Sequence, residues 1–171
     1  LGANIVVHTA GPFQGQDYAV AQACIEARSN YVDLADGRAY VCGISALDEA
    51  ARRNDVLVVS GASSVPALSS AVVDMLRSQF STIESIEHGI TSGARPPGLA
   101  AMEGVLGYAG KPITQWHEGA WRTRYGWQGL TRHSYPQPVG VRWLGNCDVP
   151  DLELFPQRYS PVRTVVFRAG V

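Results

Sequence analysis

Eighteen glycines are scattered through this chain of 171 residues, yet no two of them stand two positions apart. The GxGxxG turn that seats a dinucleotide pyrophosphate is therefore absent. A P-loop is absent too, because Gly110-Lys111 runs into Pro112 and position 105 is a valine rather than a glycine. Lysine is nearly missing: of 14 basic residues only Lys111 is not arginine. A Schiff-base or general-base lysine could thus only be Lys111, whose turn-like setting between Gly110 and Pro112 reads more simply as a solvated loop.

Cysteine is sparse. Cys24, Cys42 and Cys147 are too widely spaced for a CxxC metal or redox motif. Their odd number, with no signal-peptide pattern, reads as reduced thiols in a cytoplasmic protein. His8, His88, His117 and His133 show no metal-ligand spacing, so no metal site is expected. A formal net charge of −1 leaves no electrostatic case for nucleic acid or a membrane surface. No run of 18 apolar residues occurs, so no membrane-spanning helix is expected.

What remains is an α/β pattern. Ile5, Tyr31 and Leu57 head three apolar runs spaced 26 residues apart. The runs read as strands over Ile5–Thr9, Tyr31–Leu34 and Val56–Ser60. Helices over Asp17–Arg28, Ser45–Arg53 and Ser64 to about Gln79 separate and follow them. Ser45 and Ser64 are candidate N-caps. The third helix carries Leu68, Ala71, Val72, Met75 and Leu76 at helical spacing, an expected inner stripe. Such alternation makes βαβ units, hence parallel strands with right-handed crossovers.

After Phe80 the texture changes. Ile86, His88 and Ile90 alternate with Glu87, Gly89 and Thr91, as in a strand with one wet face. Ser92–Gly98 reads as a loop, Met102–Tyr108 as a short helix, and Ile113–His117 with Ala120–Arg124 as a hairpin turning at Glu118-Gly119. Val139–Leu144 and Arg163–Ala169 are further strand candidates. The four tryptophans, all in this half, read as packing for a small sheet.

In an open parallel sheet, ligands bind beyond the carboxyl ends of the strands. Three loops should meet there: Ala10–Gly15, Ala35–Arg38 and Gly61–Val65. Each begins with small residues that let the backbone approach a ligand. Ser63 and Ser64 precede a helix, whose N-terminus favours polar groups. The same residues could simply build turns and a cap. A hydrolase triad of Ser63, His88 and Asp33 is disfavoured, since Gly61-Ala-Ser-Ser-Val65 lacks the second glycine of a nucleophile elbow.

Val7-His-Thr-Ala-Gly-Pro-Phe-Gln14, Ala23-Cys-Ile-Glu-Ala27, Tyr31-Val-Asp-Leu-Ala-Asp36 and Val59-Ser-Gly-Ala-Ser-Ser-Val-Pro-Ala-Leu-Ser-Ser70 resemble the saccharopine dehydrogenase-like oxidoreductases. The likeness is to uncharacterised bacterial members of that group. Asn146-Cys-Asp-Val-Pro-Asp-Leu-Glu-Leu-Phe155 and Val166-Phe-Arg-Ala-Gly170 extend it into the second half.

The resemblance implies a fold in which residues 1–80 form the second half of a Rossmann-type parallel sheet. Residues 81–171 would be an incomplete α+β, mostly antiparallel region for substrate and dimer contacts. It places NAD or NADP contacts on Thr9, Ala10, Gly11, Pro12, Phe13, Asp33, Ala35, Asp36, Ser60, Gly61, Ala62 and Ser63. Of these, Ala10–Phe13 would lie beside the nicotinamide ribose and Ser60–Ser63 near the nicotinamide end. Asp33–Asp36 would border the cleft.

The family's opening strand, glycine-rich turn and helix, which hold the pyrophosphate, have no counterpart here. The chain begins without Met just before a core strand and ends in what reads as a strand cut short. The expectation is therefore a fragment of an NAD(P)-dependent oxidoreductase. The parent would move hydride to or from a C–N or C–O centre of a small-molecule substrate, while this piece binds no cofactor itself. Saccharopine is not the expected substrate, because the side chains used by lysine-pathway members are not found. The alternative is a non-enzymatic fragment that associates with itself or a partner. In strand order 3-2-1-4-5-6 the first strand here is strand 4, which leaves the Ile5–His8 edge bare and predicts a homo-oligomer through it.

Overall fold

The computed structural model describes residues 2–91, 93 and 98–170. Apart from Gly93 and Gly98, the predicted loop Ser92–Gly98 lies outside the described residues. The first half alternates as expected: β1 (Ile5–His8), α1 (Ala19–Glu26), β2 (Asn30–Asp33), α2 (Arg38–Gly43), α3 (Asp48–Arg53), β3 (Val58–Val59) and α4 (Ser69–Leu76). The three strands are all parallel, in the order β1-β2-β3.

Local chemistry explains where these elements start and stop. The Asp17 carboxylate accepts the Ala19 amide at 3.1 Å, so α1 begins later than the apolar pattern suggests. It ends at Glu26, and two residues on Arg28 turns the chain with φ 53°. The predicted strand Val56–Ser60 contracts to Val58–Val59 because side chains take its flanking amides. Asn30 Oδ1 accepts the Leu57 amide at 2.8 Å, and Asp33 Oδ1 accepts the Gly61 amide at 2.8 Å. Ser45 does not cap a helix. Residues 38–53 run as α2, a 3-10 turn over Ile44–Leu47 and α3, which places Ser45 inside a continuous helical stretch.

One face of this sheet is covered and the other is not. Val6, Tyr31 and Val58 point toward α1 and α3, where Ala21, Cys24, Ile25, Leu47 and Ala51 close a small core. Register sets Ile5 and Val7 on the opposite face with Leu57, and these are 52%, 58% and 62% exposed. The stripe predicted to be inner on α4 is also outward: Leu68, Val72, Met75 and Leu76 are exposed. Val73 is the α4 residue that packs inward, against the core of the second half. Periodicity identified an apolar face correctly but not what it faces.

The second half holds β4 (Ser85–Thr91), α5 (Leu99–Leu106), β5 (Pro112–His117), β6 (Ala120–Tyr125), β7 (Thr131–Ser134), β8 (Val141–Asn146), α6 (Asp151–Arg158) and β9 (Thr164–Gly170). Their sheet runs β6-β5-β9-β8-β7, with β4 lying parallel to β9 over its whole length. All other pairs in it are antiparallel. The hairpin turns at Glu118-Gly119 as expected. Both residues have positive φ, 54° and 78°, the geometry that matches the twist of the flanking strands. Helix α6 covers one face of the sheet. Leu152 and Phe155 meet Val165 and Phe167, all four wholly buried, with Ile86, Val149 and Tyr159 around them.

The chain is thus a mixed α/β protein with a small parallel sheet and a larger, mostly antiparallel one. Arg38 ties the two. Its guanidinium meets Asp148 at 3.2 Å and Glu153 at 3.0 Å, donates to the Thr114 carbonyl at 2.8 Å, and lies over the Trp121 ring. Among the described residues no helix is long and apolar enough to cross a membrane.

Candidate functional site

Three parallel strands ending at one edge bring three loops together, and the structure shows what fastens them. Asp33, the last residue of β2, is wholly buried. Its Oδ1 accepts the Ala35 amide at 2.9 Å, the Ser60 hydroxyl at 2.9 Å and the Gly61 amide at 2.8 Å. Its carbonyl accepts the Ala62 amide at 2.9 Å. One aspartate thereby fixes the loops after β2 and β3 relative to each other, and charge-assisted bonds of this kind are the strong ones. Gly61 sits at φ 80° with Pro66 and Val41 crowding the position a Cβ would take, so no other residue fits this turn comfortably.

The loop after β1 joins through its side chains. Phe13 is buried with Ala35, Tyr40 and Val41, and its backbone passes so close to Gly37 that a Cβ there would press on it at 3.3 Å. Gln16 Nε2 donates to the carbonyls of Ala10 and Pro12 at 2.8 and 2.7 Å, which folds the loop back on itself. Gln14 donates to Asp36 at 3.3 Å and lies against Gly104 of α5. Beneath the loops, His8 Nδ1 meets the Tyr31 hydroxyl at 2.9 Å, and that hydroxyl meets Tyr40 Oη at 3.0 Å. Burial raises both phenols, Tyr31 far above its ordinary range, so they serve as neutral hydrogen-bonding groups.

The twelve residues singled out in the sequence therefore gather at one edge but divide by role. Phe13, Asp33, Ala35 and Gly61 are buried and build the wall. Thr9, Ala10 and Gly11 are exposed, while Pro12, Asp36, Ser60, Ala62 and Ser63 are half-buried and form its surface. An open groove of about 560 Å³ runs past Ser60, Gly61 and Ala62, bounded across from them by Leu154, Gln157 and Arg158 of α6. The amides of Gly11, Gly61, Ala62 and Ser63 are each taken by acceptors within the loops. Those four amides are thus engaged within the protein, while Thr9, Ser60 and Ser63 bring hydroxyls and Ala10 and Ala62 small apolar surfaces to the edge.

Several neighbours were not visible in the sequence. Tyr108 hydrogen-bonds the buried Cys147 thiol. Burial pushes that thiol up to about 12 and the Cys42 thiol up to about 11, so neither has the lowered pKa of a nucleophile. Asp148 is raised, first by burial, with Arg38 opposing it. His88 does not approach Asp33. Its partner is the wholly buried Asp151 at 2.6 Å, with the imidazole stacked on Phe155, so the triad reading has no geometry behind it. The first-turn acids Asp151 and Glu153, with Leu152 and Phe155 three apart, were the signal for α6.

Among the described residues no group of three or more His, Cys, Asp or Glu is placed to hold a metal ion. No protein-family model and no curated protein sequence matches the chain.

Proposed function

We propose that residues 1–80 are the second half of a Rossmann-type NAD(P)-binding domain and residues 81–171 a substrate and dimerisation region. The parent would be an oxidoreductase similar to the saccharopine dehydrogenase-like family. The observation that carries this reading is the convergence of three strand-to-helix loops at the carboxyl edge of β1-β2-β3, the loops after β2 and β3 locked to each other by the carboxylate of Asp33. That edge is where open parallel sheets take their ligands.

The residues present suit the nicotinamide half of the cofactor. Ala10, Gly11 and Ala62 offer surfaces that a flat ring can approach, Thr9 and Ser63 bring hydroxyls to the same edge, and Phe13 stiffens the loop from below. The cofactor, when bound, supplies the hydride chemistry; the protein supplies orientation and exclusion of water. The groove toward α6 gives a small substrate access from the second half of the chain. With no glycine-rich turn for the pyrophosphate, the chain by itself should bind NADPH no more tightly than about 100 μM. Titration followed by nicotinamide fluorescence tests this, and binding clearly tighter than that would overturn the expectation that tight binding needs such a turn.

One observation favours a second reading, a self-associating fragment without activity. Among the described residues β1 pairs only with β2, and its other edge adjoins the apolar face of Ile5, Val7 and Leu57. An apolar strand edge of this kind is a template for pairing with another copy. Sedimentation should find a dimer or larger assembly, and a monodisperse monomer would sink this reading.

A further inference from the structure

The face of the larger sheet turned away from α6 contains a second site. A pocket of about 360 Å³ opens between β4, β7, β8 and β9, lined by Glu87, Thr131, Arg132, His133, Tyr135 and Arg168. Arg168 and His133 share this lining with one carboxylate, Glu87, in a chain whose overall charge is close to neutral.

Arg168 is the informative member. It sits on β9, the strand that joins β4, β5 and β8, and its side chain is three-quarters buried at 25% exposure. Its Nε is buried without a hydrogen-bond partner among the described residues. A guanidinium presents its donors as a planar fork that matches the oxygens of a carboxylate or phosphate, and a buried donor left unmatched is costly. The acid it meets among the described residues, Glu87, touches a different nitrogen at 3.4 Å and is itself 59% exposed, so the pair is loose. His133 lies edge-on to Tyr135 at 4.5 Å between ring centroids, which holds the imidazole at the pocket wall.

We infer that this pocket binds the anionic group of a small molecule, a carboxylate or a phosphate, with Arg168 as the anchoring fork and Glu87 as a weak occupant that the ligand displaces. Fixed donors in a partly enclosed pocket recognise an anion better than mobile surface charges do. The pocket shares no residue with the three-loop edge. Anion binding here and nicotinamide binding there therefore succeed or fail separately.

Calorimetric titration of the full chain with inorganic phosphate, and separately with acetate, at constant ionic strength tests the assignment. Saturable binding with a dissociation constant of about 1 mM is expected for at least one of them. Saturation by phosphate alone identifies a phosphate-bearing ligand, by acetate alone a carboxylate, and by both a general anion site. Arg168→Gln should weaken binding at least about tenfold. Glu87→Gln, an exposed change that leaves the fold intact, should tighten it about threefold by removing the competitor. The opposite signs of the two variants separate a local effect from a folding defect. No saturable heat with either anion, or binding indifferent to both substitutions, would overturn the assignment.

Discussion

Asp33 and Gly61 are joined by a hydrogen bond of 2.8 Å from the glycine amide to a buried carboxylate oxygen, and that bond holds the ends of β2 and β3 at a fixed separation. The same oxygen serves Ala35 and Ser60. Asp33→Ala strips three donors of one acceptor, two of them backbone amides, and should cost about 3 kcal/mol. Asp33→Asn keeps an acceptor in place and should cost about half as much. Urea unfolding of the two variants checks the order; a loss below about 1 kcal/mol for the alanine variant would show that the loops hold together without it.

The thiols give a prediction in pH. Reaction with an alkylating reagent needs the thiolate, and a pKa raised above the ordinary value lowers the thiolate fraction at any pH below it. With Cys42 pushed up to about 11 from an ordinary 9.0, its alkylation at pH 8 should run about a hundredfold slower than that of a free thiol. Cys147, pushed up to about 12 and buried, should be slower again. Mass spectrometry of the folded chain against a urea-unfolded control measures this, and rapid labelling of either residue in the folded chain would contradict it.

The β5–β6 turn offers a stabilising change. Glu118 occupies a left-handed conformation at φ 54°, which asparagine and glycine accept more readily than glutamate does. Its amide bond to Thr164 does not depend on the side chain. Glu118→Asn should therefore raise stability by about 0.5 kcal/mol. A fall in melting temperature would mean that the side chain of Glu118 matters in a way the turn geometry does not capture.

Val7 tests the bare edge. It is exposed on the uncovered face of β1, so Val7→Lys should change monomer stability by no more than about 0.5 kcal/mol. A charge on the edge blocks pairing with a second strand, and self-association should fall at least about tenfold. Equal sedimentation of variant and parent would place any interface elsewhere.

The first half was legible because its signals were redundant. The 26-residue spacing of Ile5, Tyr31 and Leu57, the small-residue loops and the apolar runs all point to parallel strands. The three-loop edge followed from that topology alone. What fastens it did not, because the reach of Asp33 to Ser60 and Gly61 is a tertiary fact with no local pattern. Helix α6 escaped because Pro156 lies within it and Pro150 just before it, and proline argues against a helix interior until packing overrides it. Strand β7 escaped for the opposite reason: Thr131–Ser134 is exposed throughout, so burial imprints no alternation on it. Arg168 reads in sequence as one more surface charge on a strand, and only the pairing of β9 with β4 shows it half-enclosed.

The most direct test of the dinucleotide-edge reading is an amide map of the chain by two-dimensional NMR, titrated with reduced nicotinamide mononucleotide. This half of the cofactor needs no pyrophosphate turn. The reading predicts saturable shifts at millimolar ligand confined to Thr9, Gly11, Phe13 and Gly61–Ser63, lost when Asp33→Asn loosens the loops. Shifts scattered over the surface, or none at those residues, would contradict it.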